Sequence, residues 1–370
     1  MRRTVAWCVA AVASASLIGP VDAHPAPVKT QVQAAYDALT PAQRVGQLFM
    51  AGISSTRPTH AAVVELRAHA VGSVILVGNS SVGIVETSTV VGRLNSGLAI
   101  DGLRPFVATD QEGGEVQRLT GPGFSTMPTA LEQGHVTPAQ LQARATKWGQ
   151  QLATAGVSLN LAPVADTVPA THPRSNQPIG HYDREYGHTP AVVAAHVAAV
   201  VRGEASGGVD IAVKHFPGLG RASGNTDLTV HVTDPTSRHS PYLAPFQVGV
   251  NAGAPFVMVS LATYPHIDPS HPACFSKTVM TDMLRGDLGF RGVVISDSFH
   301  AVAVRSVPPG KAALEYFRAG GTMLLDTQRA PIYAMEKAVL AEQRSDPSFA
   351  KTIKSDVLRV LSAKASAGLL

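Results

Sequence analysis

Lys214 and His215 end an apolar run, V-D-I-A-V-K-H-F-P-G-L-G over residues 209–220. A buried strand that closes on two hydrogen-bonding side chains and breaks into a Gly/Pro loop commonly delivers them to a site. Alone, the pair has a plainer reading, a strand end that reaches solvent. Three other segments share the design. Asp110 ends the run P-F-V-A-T-D and is followed by Q-E-G-G, Asp166 ends V-S-L-N-L-A-P-V-A-D, and Asp297 follows G-V-V-I-S. A carboxylate at the end of a buried strand costs desolvation energy unless it is paired or used. One such Asp is often a helix N-cap. Several at the same end of successive strands describe a shared rim. Carboxylates beside a Lys–His pair supply acceptors, cationic donors, and groups able to attack a carbon or move a proton.

The elements that must position these residues follow a regular rhythm. Apolar strand patterns fall at 46–52, 72–78, 105–110, 157–163, 209–214, 255–260, 292–297 and 321–326. Helical patterns lie between them at 58–69, 84–98, 138–155, 190–205, 240–252, 277–287, 310–319 and 331–343, with a last helix at 347–366. Strands alternating with helices predict an α/β fold with a parallel sheet, and eight repeats close a (β/α)₈ barrel of the TIM type. The rival, a doubly wound open sheet, predicts a nucleotide fingerprint after an early strand, and the chain has none. In a barrel, sites form at the C-terminal ends of the strands. Asp110, Asp166, Lys214, His215 and Asp297 all fall there. So do the longest irregular segments, 111–137, 164–189 and 215–239, and long loops in compact domains are often functional.

The chain has 370 residues, 45% hydrophobic and 15% charged, which supports a large core. Met1-Arg2-Arg3, an apolar stretch and Val21-Asp22-Ala23 predict a signal peptide over 1–23, with the barrel domain over 24–370 and an exported protein. The apolar run is short for a membrane span and Gly19-Pro20 interrupts it. Past that segment only Cys274 remains, so no intramolecular disulfide and no cysteine-based metal site is expected. The 14 histidines are scattered without an H-E-x-x-H motif, and no metal or other cofactor is expected. The net charge of +4 is dispersed, which argues against a nucleic-acid partner. Gly218-Leu219-Gly220 with Gly224 has the wrong spacing for a dinucleotide loop, and no G-x-S-x-G elbow occurs.

Five ordered motifs resemble glycoside hydrolase family 3, in its single-barrel β-N-acetylhexosaminidase branch. They are Asp110-Gln111-Glu112-Gly113-Gly114 with Val116-Gln117-Arg118; Leu161-Ala162-Pro163-Val164 then Asp166; Ile179-Gly180 then Arg184-Glu185-Tyr186-Gly187; Lys214-His215-Phe216-Pro217-Gly218; and Ser296-Asp297. The resemblance implies that Asp297 is the nucleophile and that Asp110, Arg118, Arg184, Lys214 and His215 bind the glycan. An ionised Asp can form a covalent glycosyl-enzyme and so divide one hard displacement into two.

The chain departs from that branch at one telling position. Where the branch carries Asp-Ser/Thr-His with His as general acid/base, this chain has Asn225-Thr226-Asp227. A carboxyl with a raised pKa can do the same work, so Asp227 is the acid/base candidate. A secreted, actinobacterial-like group within the family resembles this N-T-D form. The alternatives are a loop-capping role for Asp227 and a proton donor at His231. Ser298 and Thr322 replace aspartates of the pattern and are expected to support or cap the site. The expected function is a secreted, retaining exo-glycosidase on terminal β-linked N-acetylglucosamine of cell-wall or related glycans. It is expected to act as a monomer, possible association with the cell wall included. A β-glucosidase or glycoside phosphorylase on the same barrel, or a glycan-binding protein without catalysis, are the other readings.

Overall fold

A computed structural model describes residues 28–370. The expected signal peptide therefore lies outside the described residues. Eight parallel strands form one sheet: Phe49–Ser54, Ser73–Val77, Phe106–Thr109, Leu159–Asn160, Asp210–Phe216, Phe256–Val259, Val293–Ser296 and Leu324–Asp326. All eight expected strands are present. Successive strands are neighbours, as in Met50 opposite Ser73 and Ser73 opposite Phe106. The first strand also pairs with the eighth, Phe49 opposite Leu324. A parallel bridge from Ile295 to Met323 joins the seventh strand to the approach of the eighth, so the sheet closes into a barrel.

The strands are rich in Val, Ile, Phe and Met because both of their faces are covered. Phe106 and Phe256, from the third and sixth strands, meet edge to face with centroids 5.2 Å apart. The barrel interior is thus filled by side chains, as small barrels require. The outer helices begin where Thr side chains cap them. Thr59, Thr137 and Thr189 accept backbone N–H groups at the starts of His60–Ala68, Pro138–Thr154 and Pro190–Ser206, each satisfying a donor the helix cannot.

The last helix, Pro347–Ser366, packs beside Val28–Ala38 and under the seventh strand, at the N-terminal end of the barrel. Its buried Lys364 donates to Gln47 Oε1 at 2.6 Å and to the Gly72 carbonyl at 2.8 Å. Burial pulls the pKa of that ammonium down to about 7. Thr322 lies at this end too. It accepts from Arg285 at 2.8 Å and faces Asp356, so it does not support the expected site. That expectation is corrected: Thr322 precedes its strand, whereas site residues follow theirs. The segment Thr278–Asp287 is a π-helix rather than the expected α-helix. The wider winding accompanies Arg285, whose guanidinium reaches forward to the Gly292 carbonyl at 2.6 Å. No helix among the described residues is long and apolar enough to cross a membrane.

Candidate active site

At the C-terminal mouth of the barrel lies a cavity of about 630 Å³, a size suited to a small ligand. Its walls include Asp110, Arg118, Arg184, Lys214, His215, Asp227 and Asp297. These seven residues singled out from the sequence therefore meet in one place, although they come from the ends of four different strands, the third, fourth, fifth and seventh, and the loops that follow them.

The fifth strand makes the first contribution. Its pairing with the sixth shifts register between Val213 and Phe216. In a regular strand Lys214 and His215 would face opposite sides. Here, at the irregularity, both line the cavity, as bulges often arrange near sites. Lys214 Nζ reaches Asp110 Oδ1 at 2.7 Å and Glu112 Oε1 at 2.6 Å. Burial alone would lower its pKa, but the charges of Asp110 and Glu112 outweigh this and raise it. His215 Nδ1 donates to Asp166 Oδ2 at 2.7 Å, and Asp166 Oδ1 accepts the Leu219 N–H at 2.7 Å. Asp166 is wholly buried, so it fixes the ring from behind and leaves Nε2 as the free nitrogen.

Glu112 is the hub of the cationic side. Arg184 grips it with Nε to Oε2 at 2.7 Å and Nη2 to Oε1 at 2.8 Å. Burial pushes the Glu112 carboxyl up, but Arg184 and then Lys214 hold it well below the usual carboxylate range. The Arg184 guanidinium, disfavoured by burial, is held more firmly protonated by Glu112. Arg118 donates from Nη1 to Asn79 Oδ1 at 3.0 Å. The result is a lattice of fixed charges with oxygen acceptors and nitrogen donors at its surface, suited to a ligand rich in hydroxyl groups.

Asp297 follows the seventh strand and is half-buried. Its Oδ1 accepts the Ser298 N–H at 2.7 Å, which leaves Oδ2 for a substrate. Ser298 itself lines the cavity and shares its hydroxyl with Thr327 at 3.2 Å, as a supporting residue should.

Asp227 lies on the loop after the fifth strand. The residue as a whole is exposed, yet its carboxyl borders the cavity. Desolvation raises its pKa, and the negative charge of Asp297 raises it further; His215 and Arg184 act the other way. Its carboxyl oxygens accept no hydrogen bond from any described residue. The capping work falls instead to Asn225, whose Oδ1 accepts the Asp227 N–H at 2.9 Å and whose carbonyl accepts from Leu228 and Thr229. This loop is docked against the segment after Asp297: Ala303 N–H donates to the Thr226 carbonyl at 3.0 Å and Val302 N–H to that of Asp227 at 3.5 Å. His231 does not line the cavity; it is exposed with φ of +56°, which removes it as an alternative proton donor.

Sequence reasoning gave no role to Glu112, though it stood inside a quoted motif, two residues past Asp110. It placed Asp166 on the rim without assigning it to His215. Nothing in the sequence pointed to Tyr182, Leu228, His300 or Arg305, which also border the cavity. Among the described residues no group of three or more His, Cys, Asp or Glu could hold a metal ion.

Comparisons with known proteins agree on one family. The model of the glycosyl hydrolase family 3 N-terminal domain matches residues 40–363. A β-hexosaminidase of Xylella fastidiosa is 34% identical over 270 residues, 70% of this chain and 77% of that protein. Among solved structures, a β-N-acetylhexosaminidase from Beutenbergia cavernae is 44% identical with a TM-score of 0.85, covering 88% of this chain and 98% of the other. A family 3 β-N-acetylglucosaminidase from a Paenibacillus species is 28% identical with a TM-score of 0.80, covering 90% of this chain and 63% of the other.

Proposed function

The chain belongs to glycosyl hydrolase family 3 and is a glycoside hydrolase, and on that premise we propose that it is a secreted, retaining β-N-acetylhexosaminidase. Its substrate is a terminal β-linked N-acetylglucosamine on cell-wall or related glycans. Asp297 is the nucleophile, Asp227 the acid/base, and Asp110, Arg118, Arg184, Lys214 and His215 hold the sugar. The names of the similar proteins support the sugar and the bond.

One observation carries the catalytic reading. Asp227 and Asp297 border one cavity, and desolvation, then the charge on Asp297, raises the pKa of the Asp227 carboxyl. A carboxyl that favours its proton beside a second carboxyl in the same cavity is what an acid and a nucleophile need. In the first step Asp297 Oδ2 attacks the anomeric carbon. The C–O bond to the leaving group breaks, and Asp227 gives its proton to the departing oxygen. In the second step Asp227 takes a proton from water as that water displaces Asp297. The two inversions give net retention.

The test uses the mature protein and chromogenic β-N-acetylglucosaminide and β-glucoside, each with and without phosphate. Hydrolysis of the former, with the β anomer formed first by NMR and at least about a hundred-fold loss in Asp297→Asn, is the expected result. An α product, or near-normal turnover in Asp297→Asn, removes the nucleophile assignment. Preference for the glucoside, or a sugar phosphate as product, replaces the substrate reading with one of its rivals.

A further inference from the structure

One buried polar pair lies behind the cavity and has no part in the roles above. Asn160 ends the fourth strand and is completely buried. Backbone pairing between the third and fourth strands runs out near Thr109 and Asn160. The Asn160 side chain carries it further. Its Oδ1 accepts the Gln111 N–H at 3.0 Å, and its Nδ2 donates to the Gln111 carbonyl at 3.1 Å. An amide that meets both peptide groups of one residue replaces a strand partner where the strand has ended.

The same Nδ2 donates to Glu204 Oε1 and Oε2 at 3.1 and 2.9 Å. Glu204 sits in the last turns of Pro190–Ser206 and is 1% exposed. Among the described residues its carboxyl bonds Asn160 alone. Burial pushes its pKa up to about 8, so it is a neutral group near pH 7. The titratable groups around it are Tyr186, whose phenol is pushed up by burial and then by Glu204 and Glu112, and His196, which stacks on the Tyr186 ring.

Gln111 stands between Asp110 and Glu112. Its side chain donates to the Leu119 carbonyl at 2.8 Å and accepts the Leu119 N–H at 3.0 Å. The Arg118 N–H donates to the Asp110 carbonyl at 3.2 Å. Fixing Gln111 thus fixes Asp110, Glu112 and Arg118 together.

We propose that Asn160, held from behind by Glu204, is a positioning residue for sugar recognition: it clamps the Gln111 backbone and so sets Asp110, Glu112 and Arg118 against the substrate. The inference rests on the reading of Asp110 and Arg118 as sugar ligands. Asn160→Asp keeps the shape and one acceptor but loses both donations. Glu204→Gln keeps an acceptor for Asn160. With 4-nitrophenyl N-acetyl-β-glucosaminide, Asn160→Asp raises KM about ten-fold with kcat within about three-fold, while Glu204→Gln stays within about two-fold on both. Hydrogen exchange speeds up over residues 111–119 in Asn160→Asp and stays unchanged in the seventh strand. A role confined to stability would lower Tm without the KM change, and a folded Asn160→Asp with normal KM and normal exchange overturns the proposal. The wild-type protein decides independently of any variant: its Gln111 amide exchanges as slowly as those of the third strand, and fast exchange there refutes the clamp. If the wild type hydrolyses no β-glycoside, the sugar reading fails separately, and the exchange data still judge Asn160.

Discussion

Desolvation and then the charge of Asp297 favour a proton on Asp227, and no hydrogen-bond donor among the described residues holds its carboxylate. A carboxyl whose pKa is raised keeps its proton to higher pH than an ordinary exposed Asp, as a donor to a leaving oxygen must. The consequence is a graded defect. Asp227→Ala should slow substrates with poor leaving groups by about a hundred-fold or more, and activated aryl glycosides by about ten-fold or less, because the latter depart without help. Azide should restore part of the lost rate by attacking the glycosyl-enzyme without a base. Equal losses on both substrate types, with no azide effect, would reduce Asp227 to a structural residue. At this scale the sequence spoke clearly where a polar residue follows an apolar run. It said less about Glu112, whose partner Arg184 lies 72 residues away in the chain. No local pattern announces a contact of that range.

Two loops, one after the fifth strand and one after the seventh, deliver the two carboxyls, and a pair of backbone hydrogen bonds ties them together. Ala303 touches neither carboxyl, yet its N–H holds the Thr226 carbonyl. Ala303→Pro deletes that donor. Its expected effect is a fall of about ten-fold in kcat/KM for poor leaving groups and little change for activated ones, as one lost hydrogen bond would give. Steady-state kinetics on the two substrate types reads this directly, and a uniform loss would mean that the tie supports the nucleophile instead. The elements themselves were legible because most of the strands are short apolar runs of Val, Ile, Leu, Phe or Met that close on, or are followed by, a polar residue or glycine. The winding of Thr278–Asp287 was not, since the apolar spacing of α- and π-helices differs too little over ten residues. The position of Thr322 was misjudged because its type matched a motif, while its place before the strand decides which end of the barrel it serves.

The whole molecule carries several buried or half-buried acids whose pKa values desolvation has raised: Asp210 and Asp326 to about 6, Asp356 to about 7 and Glu204 to about 8. In each case the folded state binds a proton that the unfolded chain has already lost. That contribution is full below the unfolded value and disappears as pH rises through the folded one. Lys364 runs the other way. Its pKa is lowered to about 7, so it favours the folded state only as pH climbs from there toward 10. Glu112 and Asp268, held low, withdraw their contribution only in acid. Thermal stability should therefore be greatest near about pH 5 and decline toward pH 8. Calorimetric scans across that range test it; a Tm that is flat or rising would mean that the buried acids ionise at little cost. The closed sheet has a separate consequence. Because the first strand bonds the eighth and the seventh reaches the eighth's approach, no strand of the barrel presents a free row of N–H and C=O groups. The barrel sheet therefore offers a foreign chain no edge on which to add a strand, and is closed to self-association by extension of that sheet.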